Sequence, residues 1–217
     1  MSEFINTADL IGDDEMCDQI IMRTVTEYKE DRVTKIGDYA FYGCTELANF
    51  DCPNVTAIGG YAFQGCSNLE YLELPKVTSV SDGSFFGEGT FNNAKVLLPS
   101  VSIIPQRCFA YSNIRILDLR DVTSIGGYCF VGTRQLRAII IRNTSVVPTM
   151  GDIASTFQGI GFDDVWFYVP KTMDDGTDGI AAYEAATNWS ALAGNFRYIE
   201  DYTIDGTLTG ELDETKI

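Results

Sequence analysis

Six cysteines and 31 carboxylates are the side chains of this 217-residue chain best suited to chemistry, and no histidine accompanies them. The lack of histidine removes the commonest general base, the Ser/His and Cys/His nucleophile pairs and the most frequent zinc ligand. That argues against hydrolytic or group-transfer catalysis. Carboxylate pairs can still act as acid and base, but among so many acids the nearness of two in sequence carries little information, and a solvated acidic surface is the simpler reading. The run Asp174-Asp175-Gly176-Thr177-Asp178-Gly179 comes nearest to an acidic calcium loop. Its third template position falls on Gly176 and its twelfth on Ala185, where acids are required, so it reads as a plain acidic loop. No metal and no other cofactor is expected.

The cysteines follow a pattern. Cys44 and Cys66 occupy one column of two similar blocks, whereas Cys108 and Cys129 occupy the column filled elsewhere by Ala40, Ala62 and Ser84. A column that demands small buried residues suits a free thiol. The paired CxxC spacings of a zinc site are absent, and a chain of this length has no need of a disulfide framework. Structural thiols are the expectation, with a bridge between neighbouring coils as the alternative. Asn54, Asn143 and Asn188 open glycosylation triplets that matter only in a eukaryotic secretory pathway.

The elements that carry these residues must bury a core, and 45% apolar content is enough for one. The formal charge of -16 repels phosphate backbones and anionic headgroups. Nucleic acid and membrane insertion are therefore not expected, and no run approaches the ~18 apolar residues of a span. The opening Met1-Ser2-Glu3-Phe4-Ile5-Asn6 lacks a basic region followed by an apolar stretch, so no export signal is expected here, although a cleaved one would leave no trace.

Internal repetition is the strongest signal. The block Val33-Thr34-Lys35-Ile36-Gly37-Asp38-Tyr39-Ala40-Phe41-Tyr42-Gly43-Cys44, then Leu47, recurs as Val55-Thr56-Ala57-Ile58-Gly59-Gly60-Tyr61-Ala62-Phe63-Gln64-Gly65-Cys66, then Leu69. Further copies open at Val77, Val101 and Val122, and a degraded one covers Ser145 to Pro170. Each holds a strand-like segment with apolar residues at its first, fourth and sixth positions, as in Leu69, Leu72 and Leu74, Ile114, Leu117 and Leu119, or Leu136, Ile139 and Ile141. One copy cannot bury that set, but stacked copies can, with strands of neighbouring coils paired in parallel about 4.8 Å apart. A second short strand carries a hydroxyl ladder at Thr34, Thr56, Thr78, Ser102 and Thr123. Between the two lies a turn with a phenylalanine at 41, 63, 85, 109, 130 and 157, followed two residues later by glycines at 43, 65, 87, 132 and 159, where positive φ is expected.

The consensus Ile-Gly-x-Tyr-Ala-Phe-x-Gly-Cys-x-x-Leu resembles the BspA-like, or Treponema-type, leucine-rich repeats, over residues 23 to 170. The resemblance implies an α/β repeat solenoid, a right-handed leucine-rich-repeat coil with a parallel sheet and short helical caps at both ends. It also implies an activity class, binding, since members are mostly adhesins and binding proteins of bacterial surfaces, some parasites and phage genomes.

The chain divides accordingly. Residues 1–32 read as an N-terminal cap: Asp13, Asp14 and Glu15 precede Met16, Ile20 and Ile21 in the manner of a short helix, and Val25, Tyr28 and Glu30 form a half-coil in register with Leu47, Phe50 and Cys52. Residues 33–170 are the repeats, five clear coils and one degraded. Residues 171–201 form a C-terminal cap whose helix, around Ile180 to Ala186, covers the last coil with Tyr183, Ala186 and Trp189. Residues 202–217, with Asp205-Gly206, are a hairpin or a mobile acidic tail.

Alternation along the main strands sends the intervening residues outward. Tyr71, Glu73, Leu97, Ile116, Asp118, Ile140, Trp166 and Tyr168 are the candidate binding residues of that outer face, aromatic and aliphatic groups interleaved with carboxylates. The function expected is non-enzymatic recognition of a protein or glycan on a cell surface, by a phage or prophage tail protein located on the virion. Such a protein could join a larger virion complex through its termini. A bacterial surface adhesin, whose targeting elements lie outside this chain, is the alternative.

Overall fold

The structure, a computed structural model, describes residues 10–11, 24–161 and 165–201. The lead-in helix expected around Met16 and the hairpin expected at Asp205 lie outside the described residues. Fifteen short strands run through the rest. The first coils hold β1 (Leu10–Ile11), β2 (Glu27–Lys29), β3 (Lys35–Ile36), β4 (Asn49–Asp51), β5 (Ala57–Ile58), β6 (Tyr71–Glu73) and β7 (Ser79–Val80). Next come β8 (Ala94–Leu98), β9 (Ile103–Ile104), β10 (Ile114–Leu119), β11 (Ser124–Ile125), β12 (Ala138–Ile141) and β13 (Thr149–Met150). Helix α1 (Ile153–Thr156), β14 (Trp166–Val169), helix α2 (Gly179–Ala185), a 3-10 turn (Ser190–Leu192), β15 (Phe196–Tyr198) and a last 3-10 turn (Ile199–Asp201) complete the order.

These strands stack in two parallel ladders, as expected of a leucine-rich-repeat solenoid. The main one runs β6-β8-β10-β12-β14-β15, with β2-β4 paired ahead of it. The second runs β1-β3-β5-β7 and continues as β9-β11-β13. As far as β14, helix enters the described coils only at α1, whose N-cap Asp152 accepts a bond from Ser155 N–H, and α2 lies between β14 and β15. Elsewhere the chain crosses between ladders in turns.

The inward side chains explain the stacking. Leu69, Leu72, Leu74, Ile114, Leu117, Leu119, Leu136, Ile139 and Ile141 are fully buried. So are the six phenylalanines, whose rings form one continuous column: Phe41, Phe63, Phe85, Phe109, Phe130 and Phe157 follow at centroid spacings of 5.4, 5.7, 5.0, 5.9 and 5.3 Å, all near parallel. Tyr28 closes the column edge-on at Phe41 and Phe167 closes it edge-on at Phe157. At the far end Trp189 and Tyr183 are buried and pack with Phe167 and Phe196, while Ala186 is partly buried against them. Strand β15 adds a coil that the sequence pattern did not suggest, pairing Phe167 with Phe196 and Val169 with Tyr198.

The turns also bond coil to coil. Gly43, Gly65, Gly87, Gly132 and Gly159 all have positive φ, and Tyr111 takes the same conformation in the coil that lacks this glycine. A second positive-φ column, two residues before each of the first five buried rings, holds Tyr39, Tyr61, Gly83, Arg107 and Tyr128. Left-handed backbone costs a bulky residue about 1–2 kcal/mol. Here it aims N–H groups at the next coil, as in Tyr39 N–H to Gly60 O (3.0 Å), Phe41 N–H to Ala62 O (2.8 Å) and Gly43 N–H to Gln64 O (2.7 Å). Those bonds hold the strained residues in place.

Candidate functional site

Two outward rows cross the main sheet. Pairing places Tyr71 beside Lys95, Lys95 beside Ile116, Ile116 beside Ala138 and Ala138 beside Trp166. The second row runs Glu73, Leu97, Asp118, Ile140, Tyr168 and Arg197. All eight residues marked out by alternation thus share one face. They do not share one environment.

At the N-terminal end the face is open. Tyr71 is 48% exposed, and its hydroxyl donates to Glu73 Oε2 at 2.7 Å. Partial burial, together with that carboxylate, pushes the Tyr71 phenol up to about 12. Leu97 and Ile116 on the following strands, and Trp166 at the far end, are half-buried.

Further along, the face is closed. Ile140 and Tyr168 are buried and form a second apolar cluster with Ala138 and Ile199, against which Ile116 and Trp166 pack. Asp118 is buried as well and accepts two bonds from the guanidinium of Arg142, at 2.8 and 2.9 Å. A paired, half-desolvated arrangement of this kind fixes side chains in place. The Arg197 guanidinium lies 3.8 Å from the centre of the Trp166 ring, a cation-π contact that holds the indole. Ile140, Tyr168 and Asp118 therefore stand on this face but are covered by their neighbours, correcting the expectation that they stand open on it. Alternation tells which side a residue takes and not what packs over it.

The other groups with chemical potential are engaged in structure. Among the described residues no disulfide forms, and Cys44, Cys52, Cys66, Cys108 and Cys129 are all buried. Burial pushes the Cys52 thiol up to about 12 and raises Cys66, Cys108 and Cys129 as well. The column of Cys44 and Cys66 continues as Ser112 and Thr133, whose hydroxyls donate to Phe109 O and Phe130 O. Cys66 Sγ donates to Phe41 O at 3.3 Å. In the acidic loop, Asp175 accepts from Thr177 N–H, while Asp178 caps α2 by accepting from Ala181 N–H and also takes the Tyr198 hydroxyl. Asn54, Asn143 and Asn188 donate their amides to Asp31, Val122 and Met150 carbonyls. No helix among the described residues is long and apolar enough to cross a membrane.

A surface that alternation did not mark lies on the turn side, where Tyr39, Tyr42, Tyr111 and Tyr128 are exposed. The signal was present in the Tyr-Ala-Phe spacing, but tyrosine is not a residue that turn rules flag.

The model of the BspA type leucine rich repeat region matches residues 30–151 in six copies, more than half of the chain. No curated protein matches the sequence significantly. Among solved structures, that of a leucine rich cell surface protein from Faecalibacterium prausnitzii A2-165 aligns over 92% of this chain and 85% of that one, at 16% identity and a TM-score of 0.25. At that score the likeness bears on neither fold nor function.

Proposed function

Because the chain belongs to the BspA type leucine-rich-repeat family, we propose that it is a non-enzymatic recognition module that holds a protein partner on the outer face of its main sheet. The observation that carries this reading is the open part of that face. Tyr71, Leu97, Ile116 and Trp166 present apolar surface from strands locked in register, with Glu73 and Lys95 beside them. Rigid aromatic and aliphatic groups supply contact area at low entropic cost, and the neighbouring charges set orientation and rate. Asp118, Ile140 and Tyr168 flank the same site, Ile140 and Tyr168 by packing against Ile116 and Trp166.

We place the module outside the cytoplasm, on a virion or a cell surface. Gene neighbourhood separates the two, with tail genes beside a virion component and sorting or anchoring genes beside an adhesin. The site is tested by screening the protein against arrayed surface proteins and glycans, then repeating with Tyr71→Ala, Trp166→Ala. The variant is expected to lose about 2 kcal/mol or more of binding with circular dichroism unchanged. A folded variant that binds fully moves the site off this face, and a hit confined to the glycans replaces the protein partner.

A further inference from the structure

The turn side of the solenoid carries an unbroken chain of aromatic rings that the sheet-face reading does not use. Tyr42 meets Tyr39 edge-on at 6.0 Å, and Tyr39 stacks on Tyr61 at 5.3 Å. Tyr61 meets Phe86 at 5.6 Å, and Phe86 meets Tyr111 at 5.8 Å. The rings come from the coils of four successive buried phenylalanines, and Tyr39, Tyr42 and Tyr111 remain 47%, 37% and 43% exposed. None of the ridge residues belongs to the buried core.

Its surroundings specify a charge. Asp38 and Asp82 share one column two coils apart, with Gly60 between them. The Asp38 carboxylate accepts the Gly60 N–H at 2.6 Å, and a Cβ on Gly60 would lie 3.3 Å from Asp82 O. Among the described residues neither carboxylate is held in an ion pair. Beyond Tyr111 the same surface accepts a guanidinium of its own, since Arg107 lies over the Tyr128 ring at 5.8 Å. The broad faces of Tyr39 and Tyr61 are turned on each other, which leaves edges and hydroxyls rather than an open platform for a sugar ring. A second copy would bring another chain of charge -16 against the first.

We propose that this ridge is a second docking surface, separate from the sheet face, and that its occupant is an arginine-bearing segment of another protein. Guanidinium groups bond to Asp38 and Asp82 and to the tyrosine hydroxyls that the stacked rings leave outward. The probe is a short fluorescent peptide of alternating arginine and glycine, followed by anisotropy at physiological salt, where distant charges are screened. Three proteins are compared with the natural one. Tyr39→Asn, Tyr61→Asn, Tyr111→Asn removes rings at no change in charge, since asparagine tolerates positive φ. Asp38→Asn, Asp82→Asn removes two charges from the ridge, and Asp51→Asn, Glu73→Gln removes two from exposed positions on strands β4 and β6. The expected result is binding weakened about tenfold or more by each ridge variant and by less than about twofold by the sheet variant. Equal loss in the two charge variants overturns the proposal in favour of diffuse attraction, as does a natural protein that does not bind the peptide. Should the ring variant fail to fold, the two charge variants still decide. Self-association of the natural protein that the ridge variants abolish replaces the peptide with a second copy. Binding at the sheet face is read separately, through Trp166→Ala.

Discussion

Phe63→Ser tests whether the coils form one cooperative body. The ring is fully buried and touches Phe41 at 5.4 Å, Phe50 at 5.2 Å and Phe85 at 5.7 Å. Truncating a buried phenylalanine costs about 3–5 kcal/mol in lost transfer energy and residual cavity. The column is stacked and close-packed on both sides, so it has little freedom to collapse, and about 4 kcal/mol is a fair central figure. Against a typical stability of about 5–15 kcal/mol, that is a large fraction. In a chain of this length each kcal/mol moves the midpoint by about 2–4 °C, so the melt should fall by roughly 8–16 °C. The chain's only two tryptophans, Trp166 and Trp189, sit in the last coils, far from Phe63. Tryptophan fluorescence therefore reports the C-terminal end, while far-ultraviolet circular dichroism reports every coil. The two signals should shift together. An unchanged melt would remove Phe63 from the core column. An early dichroism loss with fluorescence at the original midpoint would show coils that melt independently.

Four further outcomes follow from the same structure. Cys66, Cys108 and Cys129, raised by burial, should react with iodoacetamide at pH 8 only as fast as the protein unfolds, and rapid labelling of any of them would refute the buried-thiol assignment. Cys52 and Tyr28 reach about 12 in the fold, whereas their unfolded values lie near about 8.5 and 10. As pH rises from about 9 to 12 the unfolded chain loses protons that the folded one keeps. Stability should then fall by up to about 1.4 kcal/mol per pH unit for each group and be indifferent to both below about pH 8, as urea titrations would show. Asp118→Asn, which leaves the half-buried Arg142 without its carboxylate, should cost about 2 kcal/mol in urea unfolding, against less than about 0.5 for Asp51→Asn in the exposed Lys29–Asp51 pair; equal costs would contradict the burial of the first pair. At Tyr128, φ 59°, valine should be less stable than glycine by about 1 kcal/mol or more, and a valine variant as stable as the glycine one would mean that the turn relaxes.

The repeat made the two ladders, the phenylalanine column and the positive φ of its glycines legible, because each coil restates the same demand and errors in one copy are corrected by the others. What occurs once was not legible. Phe196-Arg197-Tyr198 is too short to declare a strand, and only its pairing with Phe167 to Val169 makes it one. The left-handed backbone at Tyr39, Tyr61 and Arg107 is set by bonds to the next coil, not by any local preference of those residues. The site shows the same division. Alternation placed all eight outward residues correctly by side, but Ile199 and the Asp118–Arg142 pair, which decide that Ile140 and Tyr168 are covered while Tyr71 is not, come from segments that no local pattern connects.

Almost every polar tie between coils spans one repeat. Thr56 Oγ1 reaches Thr34 O, Lys76 Nζ reaches Asn54 Oδ1 and Asn92 Nδ2 reaches Glu70 Oε1, each across 22 residues. The ring column obeys the same rule. Each coil consequently knows only its two neighbours, and the number of coils is nowhere written into the contacts of any one of them. An in-frame gain or loss of one whole repeat between Val33 and Val77 would rejoin like surface to like surface. Such a change would lengthen or shorten both outer surfaces together by one strand spacing of about 4.8 Å. Descendants of this chain can thus fit partners of different reach by counting repeats, while the closing residues Tyr183, Trp189 and Phe196, which have no counterpart elsewhere in the array, stay fixed at its end.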